Sequence, residues 1–393
     1  MLVADIPVEL SPKRERSDGR KGEFEALTIQ SIYMVQGGAL STILPILMRE
    51  EGLSIQQVGI VYSLQPFLFQ ITRLFLGALS DFVGRKPFYF LNGVGSALSL
   101  FTYYLARTPI GFAVGRLLGA VQAACIWAVN RAYFLEQRRG SAKSLFNMRA
   151  VTAIFGAIGN VLAGFLVAKI LYRPSLLVLL PLSAAMMILS LILPETVKRR
   201  SPEIKDVFRA IDLRGKGSIF LAFVALLCVP GFSVGIVRSY VVPLFLKSMN
   251  LPIERIGMLL SLQSLASGIT LYLLSLMINY KNFLLLSGIY SFVGVLVFGF
   301  AKDCSVLPLI LVLGSATGAI IAAYEMVTAR IAGKRSYGAD IGLLMLGFHG
   351  GNTLSQAVSG FLISSVGYPS LFLLSGIGAF IFSIFAQTRL SAR

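Results

Sequence analysis

From residue 27 to near its end, the chain alternates between long apolar runs and short charged segments. The first run, Leu27 to Met48, contains no charged residue, and about 20 apolar residues suffice for a helix to cross the hydrocarbon layer of a bilayer. Twelve such runs can be drawn, at roughly 27–48, 55–80, 88–106, 109–130, 144–168, 174–193, 217–246, 256–280, 282–301, 304–329, 341–365 and 368–388. They are apolar on all faces, whereas barrel strands would alternate over about 10 residues. The pattern therefore predicts an all-α membrane protein of twelve transmembrane helices. Its organisation would be an N-terminal tail (1–26), a six-helix bundle (27–193), a linker (194–216), a second six-helix bundle (217–388) and a C-terminal tail (389–393).

Charge placement orients the spans. Of the 35 basic residues, seven fall on one side (Arg49, Arg107, Lys169, Arg173, Lys247, Arg255 and Lys302) and four inside spans (Arg73, Arg116, Arg149 and Arg238). All others fall on the side of the tails and the linker. Lys and Arg mark cytoplasmic segments, so both termini are expected in the cytoplasm of a multi-pass cell-membrane protein.

The two bundles are related. A shift of 198 residues aligns Pro45 with Pro243, Gly59 with Gly257, Ser63-Leu64-Gln65 with Ser261-Leu262-Gln263, and Ile71-Thr72 with Ile269-Thr270, without a gap. Apolar bias alone does not produce shared Pro, Gly, Gln and Thr. The twelve helices thus read as two six-helix pseudo-repeats, an architecture in which similar halves rock about a central site.

Composition removes other classes. Only 13% of residues carry charge and 56% are apolar, too little charge to clothe a soluble domain. A net charge of +17 would suit nucleic acid, but it is spread over short segments between spans; no nucleic-acid partner is expected. The three cysteines stand far apart in sequence, and His349 is the single histidine, so neither a metal site nor a disulfide framework is expected. No Walker-type loop and no nucleophile–base constellation is present, so neither a cofactor nor an enzymatic activity is expected.

Between spans 2 and 3 stands Gly77-Ala-Leu-Ser-Asp81-Phe-Val-Gly84-Arg85-Lys86. With twelve spans and the internal repeat around it, this segment resembles the loop signature of the major facilitator superfamily. The resemblance covers the chain after residue 26. It implies a latch between the halves, with Asp81 and Arg85 holding it, Gly77 allowing close helix approach, Gly84 the turn, Lys86 at the surface, and Glu136 joining the network. A turn that only fixes topology accounts for the same residues. In the second half Asp81 falls on Asn279 and Arg85 on Phe283, so the latch is not repeated. Arg116, in Gly115-Arg116-Leu-Leu-Gly119, resembles the family's span-4 arginine motif with altered glycine spacing. Span 5 carries Gly159-Asn160 where family antiporters have Gly-Pro.

Charges inside a membrane are expensive and mark function or structural pairing. The family's first helices in each half line the central cavity, which makes Arg238 in span 7 the sharpest solute-binding candidate. Arg116 joins it, as do the uncharged Gln36, Trp127, Tyr240, Gln263 and Asn352; Gln65, Gln122 and Asn130 are further polar positions. Arg73 and Arg149 have structural or snorkelling readings. Glu325 and His349 are the titratable candidates for proton coupling, although an ion pair with Arg330 or simple packing explains each as well. The expected function is a secondary active transporter of a small organic solute, working as a monomer in the lipid bilayer by alternating access and driven by protons. Organic anion or amphiphile export is favoured by the buried arginines. Multidrug efflux of lipophilic compounds, or a transporter-like receptor without flux, are the alternatives.

Overall fold

The computed structural model describes residues 15–137, 142–195, 216–276, 282–331 and 337–391. Among these residues every regular element is a helix. The first half contains α1 (Glu15–Glu50), α2 (Ile55–Val83), α3 (Lys86–Leu105), α4 (Pro109–Gln137), α5 (Ala142–Ile170), α6 (Tyr172–Val178) and α7 (Leu180–Ile192). The second contains α8 (Ser218–Leu226), α9 (Cys228–Val237), α10 (Val241–Ser248), α11 (Ile253–Ser275), α12 (Phe283–Phe298), α13 (Val306–Ile331) and α14 (Tyr337–Ser391). Among the described residues, eight helical stretches are long and apolar enough to cross a membrane. If α6–α7 forms one crossing, α8–α10 another and α14 two, the helices correspond to the twelve expected spans. The division of α14 falls at Gly367, whose φ of 79° is non-helical, two residues before Pro369.

Local chemistry sets the ends. Ser54 caps α2 in a reciprocal box, its hydroxyl accepting from the Gln57 amide at 3.2 Å while the Gln57 side chain accepts from the Ser54 amide at 2.8 Å; this satisfies two otherwise orphaned donors. Gly84, at φ 101°, makes the turn from α2 to α3, a conformation that glycine adopts without a Cβ penalty.

Two features differ from the sequence expectation. First, α1 begins at Glu15, well inside the expected tail, and Ala26 at the end of that tail is fully buried in a cluster with Phe88, Tyr89 and Tyr133. Second, span 7 is broken twice, after Leu226 and at Arg238–Tyr240. Both breaks have a proline cause. A proline ring clashes with the carbonyl four residues earlier and supplies no amide to bond it. Pro230 stands four residues after Leu226, and Pro243 four after Ser239. Most of the expected linker lies outside the described residues.

The halves meet along two seams, α2 against α14 and α5 against α11. Each seam uses one of the repeat-related glycines. A Cβ on Gly59 would lie 2.7 Å from the Gln356 carbonyl of α14, and one on Gly257 would lie 2.5 Å from the Asn160 carbonyl of α5. The aligned glycines of the sequence repeat thus hold equivalent places, each where a helix of the opposite half comes close.

Candidate functional site

A cavity of about 170 Å³ opens between the halves, walled by α1, α5, α11, α13 and the break between α9 and α10. Among the described residues its polar lining is Ser41, Thr152, Asn160, Arg238, Ser239, Gln263, Ser264, Ser267 and Thr317, with no carboxylate. Arg238 is exposed within it. The helix break is what presents this side chain. Arg238 has φ −117° and ψ 9°, outside the helical region, so α9 stops at Val237 and the chain turns before α10 begins. The carbonyl of Val237, left over at that end, accepts a 2.9 Å hydrogen bond from the Gln263 side chain of α11. Gln263 therefore braces the break while lining the cavity.

Asn160 ties the walls together. Its Oδ1 accepts from the hydroxyls of Ser41 at 2.9 Å and Thr42 at 3.1 Å on α1, and its Nδ2 donates to Ser264 of α11 at 3.3 Å. Close helix contact permits this. A Cβ on Gly38 would overlap the Gly156 carbonyl, so α1 and α5 touch backbone to backbone beside the cavity. One position earlier, a Cβ on Gly37 would meet nothing within 4 Å; this glycine leaves open room in the cavity wall.

Of the solute-site residues expected from sequence, Arg238 and Gln263 line this cavity and the others lie elsewhere. Gln36 points into the first half, donating to the Leu179 carbonyl at 3.0 Å and the Ser183 hydroxyl at 2.9 Å and accepting from Ser96 at 2.6 Å. Trp127 packs into the apolar clusters between α1, α2 and α4. Asn352 accepts from Gln356 one turn on along α14. Asn130 bonds Tyr89 and Gln30, and Gln122 accepts from Asn92 through its carbonyl.

Arg116 and Tyr240 belong to the other seam. The Arg116 guanidinium sits over the Tyr62 ring, 4.1 Å from its centroid, and donates to the Tyr62 carbonyl at 3.2 Å. Pro66, four residues after Tyr62, cannot bond that carbonyl, so Arg116 fills its place. Tyr62 in turn packs against Tyr240 across the halves, with centroids 5.1 Å apart, and the Tyr240 hydroxyl donates to the Gln356 carbonyl at 3.0 Å. Further along, His349 lies among rings, 5.0 Å from Phe69 and 5.4 Å from Phe348. Glu325 is half-buried on α13, next to Tyr324, which stacks on Phe348 at 4.4 Å.

In the loop segment, the side chains of Asp81 and Glu136 lie outside the described residues. The amides of Arg85 and Lys86 donate to the Glu195 carboxylate at 2.8 and 3.2 Å, and the Arg85 guanidinium donates to Ser80. Glu195 thus sits on the N-terminus of α3, where a carboxylate is favoured by the helix dipole. All of these contacts lie within the first half. Among the described residues, a Cβ on Gly77 would meet nothing within 4 Å.

Ser41, Thr152, Asn160, Ser239, Ser264, Ser267 and Thr317 line the cavity without having been assigned from sequence. A signal for two of them existed. Ser41 and Ser239 are repeat partners under the 198-residue shift, each four residues before an aligned proline.

A family model described as Major Facilitator Superfamily matches residues 26–304. Among solved structures, a mutant of the nucleoside transporter NupG superposes with TM-score 0.76 at 15% identity, covering 93% of this chain and 99% of that one. The unmutated NupG structure gives 0.74 at 15% identity, over 95% and 100%. The human organic anion transporter MFSD10 (TETRAN) gives 0.69 at 17% identity, over 94% and 99%. At such identities the likeness establishes the fold alone. No curated protein sequence matches significantly.

Proposed function

Because the chain belongs to the major facilitator superfamily, we propose that it is a secondary transporter that moves a small organic anion through the cavity between its halves by alternating access. The observation that carries this reading is Arg238, exposed at a helix break in a cavity whose lining, among the described residues, includes no carboxylate. A guanidinium cannot lose its proton in a protein, so the cavity presents a fixed positive charge to any solute. Discontinuous helices at the interface of transporter repeats are where solutes bind in such folds, and span 7 is broken at this arginine.

The remaining parts follow from the same reading. Both termini lie in the cytoplasm by the distribution of basic residues, and the protein exports its solute from the cell. The two six-helix bundles, 27–193 and 217–388, rock against one another along the two seams. Gly84, Arg85 and Lys86, held by Glu195, brace the cytoplasmic turn, with Asp81 and Glu136 completing the latch. Proton drive is assigned to Glu325 and His349, which flank the ring-filled seam.

A thermal-shift screen of the detergent-purified protein tests the anion reading. Small organic anions are expected to stabilise it, by about 2.7 kcal/mol at a hundred times the dissociation constant, and Arg238→Ala is expected to remove the shift. Stabilisation by lipophilic cations alone would establish efflux of lipophilic compounds instead.

A further inference from the structure

Two glycines stand together on the α1 wall of the cavity, Gly37 and Gly38. Glycine inside a helix costs stability relative to alanine, and in membrane helices that cost is offset where two backbones must touch. Gly38 has this reason, since a Cβ there would overlap the Gly156 carbonyl of α5. Gly235, which the 198-residue shift aligns with Gly37, has a packing reason too, because its Cβ would overlap the Ser355 hydroxyl of α14. Gly37 has neither. Among the described residues nothing lies within 4 Å of the place its Cβ would take. Its backbone makes no demand for glycine either, since it sits inside the continuous helix α1 with no positive φ. The residue is exposed, and the space it borders is the cavity.

Met34 and Ser41 also line the cavity, and they stand one turn to either side of Gly37, at the spacing that shares a helix face. Gly37 is therefore a notch between two side chains of the wall. We propose, resting on the anion reading above, that Gly37 determines solute size: the notch receives the apolar part of a small organic anion, and its depth limits the length of chain that the cavity accepts. The neighbouring surface suits a hydrocarbon part, since Met34 of α1, Val242 of α10 and Leu260 of α11 all line the cavity. Volume agrees. The cavity measures about 170 Å³, and an apolar cavity of about 150 Å³ holds one benzene ring. In a close-packed site of that size a single methylene is felt.

Straight-chain carboxylates from propionate to octanoate test this, because they share one charge and differ only in length. Their dissociation constants are measured on the purified full-length protein by isothermal calorimetry. In the wild type each added methylene is expected to tighten binding about fourfold while room lasts, up to a limiting length. Gly37→Ala is expected to shorten that limit by about one carbon and Gly37→Val by about three, the carbons that each side chain adds to the wall. Alanine is the best helix former and its methyl enters open space, so Gly37→Ala tests the point even if Gly37→Val does not fold. An unchanged limit in the variants would overturn the role of Gly37 and leave the anion reading standing. A uniform loss across the whole series would do the same, since a filled notch spares the shortest chain. Binding of no carboxylate by the wild type would overturn the anion reading itself, and this inference with it.

Discussion

Along α2 and α14 the space between the halves is filled by rings. Tyr62 meets Tyr240, and Phe69 meets His349. Along α5 and α11 the equivalent space holds Asn160, Ser264 and the edge of the cavity. The backbone plan is shared, because Gly59 on one seam and Gly257 on the other occupy aligned positions and both admit a helix from the opposite half at close range. The side chains are not shared. Where the first half has Tyr62 and Pro66, the second has Leu260 and Ser264 under the same shift. Duplication thus preserved the small residues that let the halves approach. The side chains beside them diverged, so that rings fill one seam and a cavity opens beside the other.

Substitution at the shared glycines tests the common plan and has the largest expected effect. Gly257→Val and Gly59→Val each drive a side chain into backbone of the opposite half. Overpacking of this kind costs about 1–3 kcal/mol, so thermal unfolding of both is expected to fall by several degrees. A neutral result in one of them would show that the seams are not equivalent in backbone contact.

The arginines separate the seams by function. Arg238→Ala removes a charged hydrogen-bond donor from the cavity, expected to weaken anion binding by about 1.5–3 kcal/mol. Arg116→Gln strips the Tyr62 carbonyl of its donor, expected to cost about 1–3 kcal/mol of stability while anion affinity in calorimetry stays within threefold. A reversal of these two outcomes would exchange the roles assigned to the seams.

Asn160→Leu deletes the polar tie between α1, α5 and α11, and a loss of about 1–2 kcal/mol is expected together with weaker anion binding, because the tie forms the cavity wall. Tyr240→Phe is the mildest change. It keeps the ring contact with Tyr62 and loses one hydrogen bond to Gln356, for about 1 kcal/mol of stability and no change in anion affinity.

Much of the architecture was legible in the sequence. Run length and apolarity identify membrane helices, and the aligned Gly59 and Gly257 announce both the repeat and the seams. The site was legible only in part. Arg238 could be singled out because a charge within a span has few other reasons to be there, and Gln263 because it pairs with Gln65 in the repeat. Gln36 and Asn352 have the same polarity, yet they satisfy carbonyls and amides within their own halves. Whether a buried amide serves the fold or the solute depends on which way the helix is turned, and runs that are apolar on every face do not encode that turn. The breaks in span 7 are readable afterwards from Pro230 and Pro243, but proline alone does not determine a break. Pro45 and Pro66 lie inside continuous helices.

Counterflow in proteoliposomes, with a labelled small organic carboxylate exchanging against the same compound inside, tests the central claim that an anion crosses through the Arg238 cavity. The account predicts rapid exchange by the wild-type protein and its loss in Arg238→Ala, with exchange retained in Tyr240→Phe. Undiminished exchange by Arg238→Ala, or flux of lipophilic cations without any of the carboxylate, would contradict it.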